Sequence, residues 1–185
     1  MTFTQTRGAT PAYPAPGEVA LEASVTVERA TALIAASWAM AEAFTARNFY
    51  PVTAAVLVAE PNEDGHIFWP RVPAPADVTV ERLKGREWIT DSESWWVVAG
   101  GGYLEASTPG ARYRITQTGT LTPAAPGAHV VEAVRCLALY QLVHSAARRE
   151  FAMVQAGDST LKREALGGLF AMSGAGAMLA GEVQW

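Results

Sequence analysis

Residues 129–151, HVVEAVRCLALYQLVHSAARREF, form a long stretch that lacks glycine and proline while keeping apolar side chains three and four positions apart. That spacing predicts a helix over about 129–153. Val130, Val134 and Leu137 fall on one line of such a helix, and Cys136, Tyr140, Val143, Ala147 and Phe151 fall on a second. Glu132, Arg135, Gln141, Arg148 and Arg149 are left for water. A helix apolar over that much of its circumference needs two partners. It is either the centre of a small core or a bridge between its own domain and a neighbouring subunit.

The rest of the chain is long enough to supply a core: 185 residues and 19.7 kDa fit one domain, or one domain with an insertion. A net charge of -4 and a pI near 5.4 argue against a surface that coats nucleic acid, which needs clustered Lys and Arg. Residues 1–110 carry 7 basic against 13 acidic groups and the remainder 7 against 5, an asymmetry that reads as a solvated face. Cys136 is the only cysteine, so no intramolecular disulfide can form and a reducing compartment is expected. The first twenty residues lack a charged start followed by an apolar run, so no signal peptide is expected. Residues 169–180 are too short and too rich in Gly and Ser for a bilayer span, and the chain reads as soluble without membrane contact.

Upstream of the long helix the period changes twice. Pro11, Pro14 and Pro16 with Gly8 and Gly17 predict an extended arm over 1–24. Val27, Ala30, Ile34, Ala41 and Phe44 then follow one helical line, with Leu33, Trp38 and Met40 beside it. This predicts a first helix over about 26–47, capped by Thr26 and stopped before Pro51. Residues 52–118 alternate instead, in short runs at 53–59, 66–69, 77–83, 95–99 and 112–118. Asn62-Glu63-Asp64-Gly65 reads as a hairpin turn with Gly65 at positive φ. Trp69, Trp88, Trp95 and Trp96 suggest a small sheet with a thin core filled by large rings. The expected fold is therefore α+β: a small helical bundle, an inserted Trp-rich antiparallel β region over about 52–118, and an extended C-terminal tail over about 169–185. Residues 25–185 are expected to form a single domain. The apolar tail ending in Val183 and Trp185 is unusual for a free terminus, and something should cover it.

Tests for chemistry come back empty. His66, His129 and His144 are far apart in sequence, with no helical pair and no cysteine partner, so no metal site is expected. Cys136 and His144 are over two turns apart on one helix, too far for a nucleophile and its base. Gly100-Gly101-Gly102 and Gly174-Ala175-Gly176 lack the Gly-Lys-Ser/Thr or GxGxxG context of a phosphate loop and read as a hairpin loop and a tail bend. Glu60, Glu63 and Asp64 solvate a turn, and Trp88, Trp95, Trp96 and Tyr103 lack interleaved bases and read as core. Neither catalysis nor a cofactor is expected.

The order of the pieces resembles a known family. The first helix ends in Arg47-Asn48-Phe49-Tyr50-Pro51, Pro70-Arg71-Val72-Pro73 enters a strand with Val78 and Val80, and Arg112-Tyr113-Arg114-Ile115-Thr116 follows. A Pro-rich link, a long apolar helix ending in Arg148-Arg149, and the stretch 158–168, DSTLKREALGG, complete the order. Over about residues 25–185 this is similar to the head-to-tail adaptor (connector) proteins of tailed bacteriophages and gene transfer agents. The resemblance implies a non-enzymatic virion protein of the head-tail neck, assembled in the host cytoplasm. It implies a homo-oligomeric ring, commonly twelve-fold, between the portal protein and a stopper or tail-completion protein. DNA passes through such a ring without sequence-specific binding. Portal docking would fall on Leu169, Phe170, Met172, Met178, Leu179, Val183 and Trp185. Subunit contacts would fall on Tyr140, Val143, Ala147 and Phe151. The β region is longer and richer in Trp than in the smaller helical members. The alternatives are a stopper or tail-terminator neck protein and, from a different class, a small ligand-binding or hydrolase domain.

Overall fold

The computed structural model describes residues 1–143, 154–156, 159–161 and 166–183. The fold is α+β, with five helices and ten strands among the described residues. The chain divides into two compact units, one formed by Met1–Ala9 with Ala46–Ala125 and the other by Thr10–Thr45 with Pro126–Val183.

The first unit holds two antiparallel sheets. Strands β1 (Thr2–Arg7), β2 (Val52–Ala59), β4 (Val78–Lys84), β5 (Glu87–Thr90) and β8 (Tyr113–Gln117) form a five-stranded sheet in the order β1-β2-β8-β4-β5. Strands β3 (His66–Phe68), β6 (Trp95–Val97) and β7 (Tyr103–Glu105) form a three-stranded sheet in the order β3-β7-β6. Alternation places one face of each in a shared core: Leu57, Tyr113 and Ile115 from the larger sheet meet Ile67 and Leu104 from the smaller, with Trp69 beside them. Phe3 and Trp96 pack against this core, each ring in a T-shaped pair with Trp69 at 5.3 and 5.9 Å between centroids.

The turn at residues 62–65 forms with Gly65 at φ 82°, and the Asn62 side chain accepts from the Asp64 and His66 amides at 3.1 and 2.8 Å. It does not close a hairpin, however, because β2 and β3 belong to different sheets; it carries the chain from one sheet to the other. The N-terminal arm, expected to be extended or partly ordered, holds a strand and a helix. Its first residues, Thr-Phe-Thr-Gln-Thr, alternate with β-branched positions, and pair with β2 as an edge strand. Pro16 opens helix α1 (Pro16–Ala23), because a missing amide and a preset φ suit the first helical position. The helix ends at Ser24, φ 53°, whose amide returns to the Leu21 carbonyl at 3.3 Å.

In the second unit, helix α2 (Val27–Thr45) begins at the expected cap: Thr26 Oγ1 accepts from the Arg29 amide at 3.4 Å. Helix α3 (Ala128–Val143) is the described part of the long apolar run, and it packs against α1, α2 and the two C-terminal helices. Its fully covered stripe is Val130, Ala133, Val134, Leu137, Ala138, Gln141 and Leu142, a run of i, i+3, i+4 steps. Gln141, expected in water, is buried: its Nε2 donates to Ser37 Oγ at 2.9 Å and to the Leu137 carbonyl at 3.1 Å. Strands β9 (Val154–Ala156) and β10 (Ser159–Leu161) pair antiparallel. The tail expected to be extended is helical, as α4 (Leu166–Met172) and α5 (Ala175–Leu179). Gly174, φ 76°, takes the left-handed turn between them, and Gly176 lets α5 approach the Phe170 carbonyl, where an added Cβ would sit at 3.3 Å. Two glycines too close for one helix thus serve as the joint between two.

Candidate functional site

The residues expected to carry chemistry are scattered. His66 lies on β3 with its ring edge-on to Tyr103 at 5.1 Å, and His129 Nε2 meets Glu182 Oε1 at 2.9 Å. His144 lies outside the described residues. Cys136 is half-buried; burial first, and the Glu132 carboxylate 3.7 Å from its sulfur second, push its thiol pKa up and disfavour the thiolate a nucleophile requires. Among the described residues no group of three or more His, Cys, Asp or Glu side chains is placed to hold a metal ion. No described helix is long and apolar enough to cross a membrane.

The polar clusters that do exist are braces. Asp91, at the end of β5, accepts from the Glu93 amide at 3.0 Å, from Ser94 Oγ at 2.7 Å and from Ser107 Oγ at 3.1 Å. Burial raises its carboxyl pKa, but these hydrogen bonds and the Arg82 charge outweigh burial and hold it below the ordinary Asp value. The network continues through the Tyr113 hydroxyl, which accepts from the Thr108 amide at 2.9 Å, and through Arg82 to Thr108 Oγ1, so it ties the loop after β7 to the larger sheet. Across β4 and β8, Arg114 grips Glu81 with two hydrogen bonds of 2.6 and 2.7 Å and lies over the Trp88 ring at 4.8 Å. A shallow cavity of about 380 Å³ is lined by Met1, Glu60, Asn62, His66, Phe68 and Arg112. It holds no buried polar group aimed inward among the side chains that line it.

What the structure exposes is apolar surface. In the expected docking segment, Met172 is 67% exposed and Met178 36%, while Leu169 and Val183 are half-buried. Phe170 stacks on Phe44 with ring centroids 4.4 Å apart, and Leu179 is fully buried in the core of its own unit. Trp185 lies outside the described residues. Of the expected subunit contacts, Tyr140 is half-buried beside the covered stripe and Val143 is the last described residue of α3. Ala147 and Phe151 lie outside the described residues.

No family model matches this sequence, and no curated protein matches it. Solved chains of gene transfer agent particles share the fold. One, from the neck of an empty gene transfer agent (GTA) particle with C6 symmetry, superposes over 100% of this chain and 96% of its own length, with a TM-score of 0.58 at 17% identity. A second, from the neck of a native particle with C12 symmetry, gives 0.55 at 17% identity over the same shares. A third, from a virion of a native particle, gives 0.56 at 15% identity, again over 100% and 96%. The likeness spans both units and leaves no segment of this chain unmatched.

One surface is absent from the sequence reading: Phe68 and Trp95, 56% and 70% exposed, lie on the smaller sheet with Tyr103 and His66. The signal was present in the alternation at 66–68 and 103–105. Its direction depended on pairing that the sequence does not display.

Proposed function

We propose that this chain is a structural, non-enzymatic component of the neck of a gene transfer agent or phage-like particle, and within that neck the adaptor that joins the portal to the stopper or tail-completion protein. The observation that carries this reading is the likeness, over the whole chain, to chains of two gene transfer agent necks. Adaptor subunits form a homo-oligomeric ring, twelve-fold in this proposal, around a DNA channel. An overall charge of -4 suits a wall past which DNA must slide, since strong phosphate contacts would stall it. Lateral contacts are assigned to Tyr140 and Val143 of α3, and to Ala147 and Phe151 further along the chain. The portal is met by the C-terminal segment, where exposed Met172 and Met178 offer adaptable apolar side chains.

Deleting residues 169–185 is a poor test, because it removes the fully buried Leu179 and Ala175. The double variant Met172→Glu/Met178→Glu leaves that core in place. It should fold, judged by unchanged circular dichroism, and lose binding to purified portal rings by at least tenfold. A folded double variant that binds portal as the parent does would refute portal docking through this segment. Imaging particles labelled at the C-terminus separates the adaptor from a stopper or tail-terminator: the label belongs against the portal in the first case and away from it in the others.

A further inference from the structure

The three-stranded sheet has one face in the core and one in water. Register fixes which is which: Ile67, Leu104 and Trp96 oppose one another on the inner face, so the rows Phe68, Tyr103, Val97 and His66, Glu105, Trp95 fall on the outer one. The His66, Phe68 and Tyr103 rings pack on one another at centroid distances of 5.1 to 6.0 Å, forming an aromatic floor that ends at exposed Trp95. Large exposed aromatic groups gathered on one sheet face mark a contact surface.

The strand ends give this face a sign. His66, Glu105 and Trp95 form the row at one end of the sheet, and the chain reaches that row through Glu63 and Asp64 on one side and Glu93 on the other. All four carboxylates are exposed. Arg112 and Glu60 both line the cavity beside them. An aromatic floor with an acidic end suits an occupant that carries basic groups.

The same unit carries such an element. The β4–β5 hairpin continues past the ladder with β8, which ends at the pair Arg82 and Tyr113. Beyond it, Lys84, Gly85 and Arg86 are exposed, and Gly85 turns the chain at φ 65°. Glu87 stands across from Lys84 and leaves the tip with one net positive charge. From Arg86 to Asp91 the chain runs the length of β5, ~17 Å at strand spacing, so the tip stands well away from the acidic end of its own chain.

We propose that the outer face of the three-stranded sheet is a docking surface for a second copy of this chain, which inserts the tip of its β4–β5 hairpin against Phe68, Tyr103 and Trp95, with Lys84 and Arg86 facing Glu93 and Glu105. The two surfaces differ, so the contact is head-to-tail and repeats until it closes or extends. It deepens the ring reading above and rests on that reading for closure, but the contact itself is read out on the isolated full-length chain.

The test is a charge swap followed by sedimentation. In the full chain, Lys84→Glu/Arg86→Glu should weaken self-association at least tenfold, and adding Glu93→Lys/Glu105→Lys should restore it. In a Cys136→Ser background, oxidising a mixture of Val98→Cys and Glu87→Cys chains, both exposed neighbours of the contact, should give the mixed disulfide at least tenfold faster than pairing Val98→Cys with Arg29→Cys. A chain that stays monomeric at every concentration and forms no preferred mixed disulfide would overturn the proposal. So would self-association indifferent to the first swap, or a folded four-site variant that fails to recover; either would point to a different chain as the occupant. Self-association that follows the swaps in a protein that never enters particles would refute the neck assignment and leave this contact standing.

Discussion

Gly102→Ala is the sharpest test of the β unit's architecture. Gly102 follows the 3-10 turn Ala99–Gly101 with φ 88° and ψ 126°, a conformation that a side chain disfavours. An added Cβ would lie 2.2 Å from Ala74 Cβ and 3.3 Å from the Trp96 ring, and its carbonyl accepts the Trp69 amide at 2.9 Å, so the backbone cannot retreat without breaking that bond. Two costs combine: about 1–3 kcal/mol for the strained backbone, and about 1–3 kcal/mol for overpacking a filled core. Gly65→Ala is the matched control, at φ 82° with no atom within 4 Å of the added methyl, and it carries only the conformational share of about 1–2 kcal/mol. Urea unfolding followed by tryptophan fluorescence reads the difference, because Trp69, Trp88, Trp95 and Trp96 all belong to this unit. An extra ~2 kcal/mol lowers the midpoint by about 0.7–2 M relative to the control. Equal midpoints for the two variants would mean that the loop does not sit against Ala74.

Two further outcomes are expected. Gln141→Leu strands the buried Ser37 hydroxyl and should destabilise by about 1–3 kcal/mol; adding Ser37→Ala should recover most of that in a double-mutant cycle, and strict additivity would contradict the contact. Asp91 has a carboxyl pKa below its ordinary value in the folded chain, so its contribution is present above the unfolded value of about 3.9 and is lost as pH falls through the folded pKa. The urea midpoint of the parent should therefore fall more steeply below about pH 4 than that of Asp91→Asn, and parallel profiles would refute the assignment.

Period was the legible part of this chain. Helices α2 and α3 and the strands at 52–59, 66–68, 78–84 and 113–117 follow from spacing alone, because a helix or half-buried strand repeats its apolar positions on a fixed step. Prolines misled: Pro16 reads as a breaker, yet the same ring geometry starts α1 once a helix can follow. Gln141 misled for a different reason. Its surroundings are set by Ser37, 104 positions away, and a local pattern contains nothing about that distance. Composition alone predicts a core role for Trp69, Trp88, Trp95 and Trp96 alike, whereas strand pairing sends Trp96 inward, its Nε1 donating to the Pro75 carbonyl at 3.0 Å, and its neighbour Trp95 outward.

That last divergence bears on where the proposed ring subunit would keep its contacts. The surplus of apolar surface on α3 first suggested a bridge to a neighbour, but from Val130 to Leu142 the stripe is covered by helices of its own unit. Among the described residues, uncovered large apolar side chains include Leu21, Phe44 and Met172 in one unit, and Phe68 and Trp95 in the other. Single exposed apolar residues need no explanation, but grouped ones on rigid elements do. Phe68, Tyr103 and Trp95 are grouped by a hydrogen-bonded sheet, whose strands hold the rings in place before any partner arrives. A preordered aromatic face loses less side-chain freedom on binding than a flexible methionine surface does. Under the proposed reading, the rigid sheet face suits a contact repeated between copies, and the methionines of the C-terminal helices suit a partner of different shape.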